Sequence, residues 1–209
     1  MLLAGVKVID TPLVRDAIDL ARSSSEPYIF NHVMRSWLFA VSIAEATKPS
    51  LNPELLAVAA ILHDLGLTDR YFGTERFEVD GANAARTFLT EHGIPMQQTQ
   101  LVWDAIALHT THSIAVHKEP EVATTHSGIF MDVMGAGLDL IPEQRLEAIL
   151  GEFPRLAMKK QFLECLCSVV RRKPGSTYDN SLRDIGIRYI EGFATPSSVD
   201  FIENAPFTE

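Results

Sequence analysis

Apolar residues recur along this chain at three- and four-residue intervals, the spacing of one face of an α-helix. Leu13, Ala17, Ile18 and Ala21 follow Thr11-Pro12, which reads as an N-cap and a first helical position. Phe30, Val33, Trp37, Leu38, Val41 and Ala44 predict a second helix over 30–47. Asn52-Pro53-Glu54 opens a third, ending near His63, after which Gly66 permits a sharp departure. Residues 66–80, with Thr68-Asp69-Arg70 and Tyr71-Phe72-Gly73, read as loop. Asp80 is placed to cap a helix running to about Glu91, with His92-Gly93-Ile94-Pro95 as its stop. Further helices are expected over 96–110, 122–135, 142–150, 154–172 and 180–193, before a Pro- and Ser-containing tail. No segment alternates strictly enough for a strand, and no repeat is visible.

Helices joined by short loops, with no Gly-rich linker, predict one all-α domain over 1–209. That length suffices for a substantial core. The formal net charge of -9 argues against nucleic acid as a partner, because phosphate binding rests on clustered Lys and Arg. The one basic cluster, Arg171-Arg172-Lys173, sits at an expected helix C-terminus, where cations complement the dipole. No segment reaches the roughly 18 to 20 apolar residues needed to span a bilayer, so no membrane partner is expected. Met1 to Asp10 lacks a basic leader and a long apolar run and reads as no signal peptide. The two cysteines, Cys165 and Cys167, face opposite ways on a helix and imply no disulfide, which suits a cytoplasmic protein.

Polar residues intrude on three apolar helices. His32 stands in the second. His63 and Asp64 close the third within Ala59-Ala60-Ile61-Leu62-His63-Asp64-Leu65-Gly66. Asp132 interrupts Ile129-Phe130-Met131-Asp132-Val133-Met134. Taken singly, such a His is an ordinary hydrogen-bonded core residue and such an Asp a helix cap. Taken together, the intrusions are costly unless they converge on something, and one cation explains them all. His32, His63, Asp64 and Asp132 are therefore candidate ligands of one divalent metal. Nitrogen and oxygen donors without thiolate suit zinc, iron, manganese or nickel. A cation with an open coordination position lowers the pKa of bound water to about 7. Asp64 is read both as a ligand and as the acceptor of the water's proton.

The arrangement His…His-Asp…Asp on helices resembles the HD-domain superfamily of metal-dependent hydrolases. Asn31-His32-Val33-Met34-Arg35 and Leu62-His63-Asp64-Leu65-Gly66-Leu67-Thr68 are similar to segments of its cyanamide hydratase-type members. Phe77-Glu78-Val79-Asp80-Gly81-Ala82, Ala105-Ile106-Ala107-Leu108-His109 and Asp132-Val133-Met134-Gly135 follow in the same order, as do Phe153-Pro154-Arg155 and Ala205-Pro206-Phe207. The resemblance implies an all-α HD fold with a central metal site. Its core would span about 28–136, with the helices of 142–193 packing on it. It implies zinc as the metal and places His109 in the lining of the active site, where an imidazole is suited to shuttle protons near pH 7. After His109 the family pattern continues with a Gln-Asp-like pair, whereas this chain has Thr110-Thr111-His112.

Other positions are candidates with bland alternatives beside them. Thr68 is a candidate catalytic hydroxyl or an ordinary loop residue. Arg35, one turn after His32, either holds a substrate anion or forms a structural ion pair. Phe77 and His112 are candidate substrate contacts, although aromatics at such positions are more often core. His92 reads as a helix stop, and His117 and His126 as loop or surface residues. The leading functional expectation is addition of water to a small nitrile-type substrate such as cyanamide, giving urea. A phosphohydrolase would need several Arg or Lys near the metal, for which Arg35, Arg70 and Arg76 are the candidates. A two-metal oxygenase or phosphodiesterase would recruit His92, His109 and His112. A binding module with a vestigial site is the fourth reading. A small-molecule substrate is expected, and a homo-oligomer suits the size.

Overall fold

The computed structural model describes residues 1–207; the last two positions of the expected 1–209 span lie outside the described residues. A two-stranded antiparallel hairpin comes first: β1 (Leu2–Leu3) and β2 (Val6–Lys7). Then follow α1 (Pro12–Ser24), α2 (Pro27–Thr47), α3 (Pro53–Leu62) and a 3-10 turn at Leu65–Leu67. Next come α4 (Phe77–Glu91), α5 (Met96–Ala107), the single turn α6 (His112–Ala115) and α7 (Pro120–Met134). The later helices are α8 (Glu143–Glu152), α9 (Met158–Arg172), α10 (Leu182–Tyr189) and α11 (Ser198–Glu203). The architecture is all-α.

Local chemistry accounts for the boundaries. The Thr11 hydroxyl accepts the Val14 amide at 3.3 Å, and Pro12 sits where no amide bond is missed. Asn52 accepts the Glu54 amide at 2.9 Å and opens α3 in the same way. Gly135, at φ 76°, ends α7 in the left-handed region.

Helix α3 holds the fold together. Every residue from Leu55 to Leu62 is buried. A helix apolar on all sides belongs in the interior, and here α1, α2, α5 and α7 enclose it. Its C-terminus therefore delivers His63 and Asp64 to the middle of the molecule. Two glycines set the approach of its neighbours. A Cβ on Gly128 of α7 would stand 2.5 Å from the Ser36 carbonyl oxygen of α2, so only glycine lets these helices meet so closely. That contact brings the His32 and Asp132 levels of the two helices together. A Cβ on Gly66 would overlap the Phe77 carbonyl oxygen, so glycine there lets the turn after Asp64 seat on α4.

Some boundaries move for identifiable reasons. The hairpin strands are two residues long, too short to show alternation. Asp80 lies inside α4, and its carboxylate accepts the Gly73 amide at 3.0 Å and the Lys173 ammonium at 2.6 Å. It ties down the preceding loop and a distant helix end in place of capping. Helix α9 begins four residues later than Pro154, because Leu156 and Ala157 take positive φ values of 50° and 56°. The tail contains α11, capped by the Ser197 hydroxyl. No helix among the described residues is long and apolar enough to cross a membrane.

Candidate metal centre

Three side chains converge at the end of α3. His32 Nε2 lies 3.1 Å from His63 Nε2, and Asp64 Oδ2 lies 3.5 Å from the first and 3.3 Å from the second. All three residues are buried. The outer nitrogen of each ring is already committed. His63 Nδ1 donates to the Ala60 carbonyl at 2.8 Å, and His32 Nδ1 to the Asp132 carboxylate at 2.6 Å. Each neutral ring thus presents only a lone pair at Nε2. Two such lone pairs and a carboxylate face one another with no hydrogen to share.

That juxtaposition is unfavourable without a positive charge among the three. Both Asp64 oxygens are buried and make no hydrogen bond. Among buried carboxylates this is uncommon and calls for a cation. The titration behaviour points the same way. Burial pushes the His63 pKa down, but Asp64, the Ala60 carbonyl and the Asp132 charge together outweigh it and the net shift is upward. Burial pushes Asp64 up, but His63, His32 and His109 outweigh it and hold the carboxyl well below its usual range. The donor set of two imidazole nitrogens and one carboxylate fits a divalent metal with coordination positions to spare.

Asp132 stands apart from these three atoms. It was expected as a fourth ligand; here its oxygens accept from His32 Nδ1 at 2.6 Å, Arg35 Nε at 2.7 Å, Arg35 Nη2 at 2.8 Å and Arg155 Nη1 at 3.0 Å. Those bonds use the roughly four acceptor sites a carboxylate has. The carboxylate therefore sits behind His32, fixing its tautomer and ring orientation. Burial raises the Asp132 pKa, but His32 and Arg35 together bring it well below the usual range.

His109 completes the floor. Its ring packs edge-on to His63 with centroids 4.8 Å apart, and its Nε2 lies 3.8 Å from Asp64 Oδ1. Nδ1 donates to the Ile106 carbonyl at 2.6 Å, so Nε2 carries the lone pair. Burial, followed by repulsion from His63, lowers its pKa to about 4, which keeps the ring neutral at physiological pH. Phe77 packs edge-on against it at 5.6 Å.

A cavity of about 550 Å³ opens from this floor. His32, His63, Asp64, His109 and Phe77 line it. Three other sequence candidates are placed elsewhere. The Thr68 hydroxyl donates to the Leu65 carbonyl at 2.6 Å and closes the 3-10 turn. Arg35 is fully buried with its guanidinium divided among Asp132, the Phe153 and Pro154 carbonyls and the Met158 sulfur. It forms the structural ion pair and has no donor facing the cavity. His112 leaves the site because α5 ends at Ala107 and a turn intervenes, so the three-residue spacing from His109 spans no continuous helix. Its Nδ1 lies 2.9 Å from His126 Nε2 instead. His126, expected at the surface, is buried in α7 and donates from Nδ1 to the His109 carbonyl at 2.7 Å. His92 does end α4, with Nδ1 on the Phe88 carbonyl and Nε2 beside Asp16.

Two residues went unassigned in the sequence reading. Arg155 was noted only within Phe153-Pro154-Arg155; it lines the cavity and grips Asp132. Glu78 is buried, accepts the Thr110 hydroxyl and Arg76, and leaves Oε2 without a partner. Its signals were its place within Phe77-Glu78-Val79-Asp80-Gly81-Ala82 and its charge in the first turn of a half-apolar helix.

The HD domain family model matches residues 29–136, and the chain belongs to that family. Cyanamide hydratase DDI2 of Saccharomyces cerevisiae is 29% identical over 160 residues, covering 70% of this chain and 67% of the relative. Cyanamide hydratase DDI3 of the same organism matches to the same extent.

Proposed function

We propose that this HD-domain chain is a metal-dependent hydratase that adds water across a small nitrile-type carbon, with cyanamide, giving urea, as the first substrate to try. The observation that carries this is the convergence of two imidazole lone pairs and an unpartnered carboxylate at the floor of a largely apolar cavity. His32, His63 and Asp64 are the proposed ligands of one divalent ion, zinc first, with iron, manganese and nickel as the other metals suited to these donors. When bound, such an ion supplies the Lewis acidity that makes water nucleophilic near neutral pH and polarises the nitrile.

The chain's own groups do the remaining work. Asp132, clamped by Arg35 and Arg155, holds His32 in the tautomer that leaves Nε2 free. An Asp64 oxygen without a hydrogen bond is available to take the proton that water loses. His109 presents a lone pair at Nε2, 3.8 Å from Asp64 Oδ1, and is positioned to accept that proton from Asp64 and hand it on to the substrate nitrogen. Phe77 fixes the plane of that ring. An uncharged substrate suits the rest of the lining. Its basic residues are Arg155, already bound to Asp132, and Lys159. Arg70 and Arg76 do not line the cavity, so a phosphoryl group would lack the cationic clamp it needs. The two-metal reading needs His92 and His112 near the centre, and both are bonded elsewhere.

The test is urea formation from cyanamide by metal-replete protein, with Asp64→Asn as the control. Urea from the first and none from the second is expected. No urea from a protein that holds its metal would overturn the proposed reaction.

A further inference from the structure

The cavity is far larger than cyanamide. At ~30 Å³ per water-sized molecule, a substrate about two waters in bulk would occupy roughly a tenth of the 550 Å³ present. The remaining space is graded in chemistry from end to end. The floor is the polar cluster of His32, His63, Asp64 and His109. Above it the walls are Phe77, Ile129, Phe162, Leu166, Leu182 and Ile185, contributed by α4, α7, α9 and α10.

Polar groups in the lining are either spent or at the rim. Thr110 donates to Glu78, and Arg155 to Asp132. Lys159, Ser181 and Asp184 are exposed, as are Met134 at 69% and Leu163 at 39%. Between floor and rim a substrate meets carbon. A polar body there would forfeit its hydrogen bonds to water without replacement, whereas an apolar one gains by leaving water.

We propose that the substrate this site selects is a nitrile or N-substituted cyanamide with an apolar body of about ten heavy atoms, bound with its C≡N group at the floor and its hydrocarbon along α7, α9 and α10. This inference rests on the hydratase reading. In the reaction R–C≡N plus water gives R–C(=O)–NH2. Water's oxygen bonds to the nitrile carbon, both of its hydrogens end on the nitrogen, and nothing is oxidised or reduced. Cyanamide is then the truncated member of the series, turned over without the binding energy of the body.

The test compares kcat/KM for cyanamide and for linear aliphatic nitriles of increasing length, on metal-loaded full-length protein. In parallel, calorimetry measures the dissociation constants of the corresponding primary amides, which need no turnover. Each added methylene is expected to raise kcat/KM and tighten amide binding about fourfold, equivalent to ~0.8 kcal/mol, until the cavity is full. Leu166→Trp and Ile185→Phe, from two different helices, should each flatten both slopes and favour the short end of the series. Thermal melting confirms that each variant is folded, and either one suffices. Flat slopes in the wild-type protein, with cyanamide still hydrated, would overturn the inference and leave the hydratase reading standing. Amide binding that tightens with length, without turnover of any nitrile, would instead retire the hydratase reaction and keep the apolar pocket.

Discussion

Two groups of histidines adjoin at the His109 carbonyl and behave differently. At the centre, His32, His63 and His109 each donate from Nδ1 to a carboxylate or carbonyl and turn a bare Nε2 inward. Beside it, His112 Nδ1 meets His126 Nε2, and His126 Nδ1 donates to the His109 carbonyl. The second group is a relay of hydrogen bonds that ends on a backbone carbonyl. The first leaves lone pairs and both oxygens of Asp64 unsatisfied. Imidazoles close together do not make a metal centre. Converging lone pairs beside an unpartnered carboxylate do.

The largest effect should come from Asp64→Asn, which removes the anion that the cation answers. Metal content should fall below about a tenth of wild type, and turnover by at least ~10³-fold, with helical circular dichroism nearly unchanged. Retained metal would show that the inward lone pairs of the two rings are enough.

Asp132→Asn probes the carboxylate behind His32. Metal affinity, measured by competition with a chelator, should drop about 10- to 100-fold. Arg35 loses its charged partner in the interior, so stability to urea should fall by roughly 3–5 kcal/mol. Complete loss of metal would instead make Asp132 a direct ligand. His109→Gln should lower turnover of cyanamide by about 10²- to 10⁴-fold and leave metal content near wild type. Loss of metal together with turnover would move His109 into the ligand set.

The smallest effects belong to the relay. Burial lowers the pKa of His126; the bond to the His109 carbonyl opposes this, the His112 charge adds to it, and the net shift is downward. The neutral folded ring faces an unfolded one that gains a proton below about pH 6.5. The unfolded state then binds more protons, so this group's contribution is complete above that pH and is lost as pH falls. Replacing His126 with Gln should flatten the acid-side decline of stability seen in denaturation at pH 5 against pH 7.5, and leave metal content unchanged.

The sequence read most clearly where the signal was local. Helices α1 and α3 showed their caps and α2 its apolar face, although α2 starts at Pro27, ahead of the expected 30, and His63-Asp64 stood out because α3 ends in a wholly apolar run. Positions that depend on distant contacts were not legible. Asp132 could be recognised as out of place in its helix, but its partners Arg35 and Arg155 come from α2 and the segment before α9. His112 was misplaced because its spacing from His109 assumed a helix that stops at Ala107. Thr68 spends its hydroxyl on the turn that sets the angle after Asp64, a role that its loop position concealed. The cavity walls join four helices whose order along the chain says nothing of their meeting.

Anomalous diffraction from crystals of protein purified without chelator would locate the metal. The expected result is one metal peak per chain, with His32 Nε2, His63 Nε2 and an Asp64 oxygen at about 2.0–2.2 Å from it, and none between His112 and His126. A peak at the relay, or none at the floor in protein that hydrates cyanamide, would contradict it.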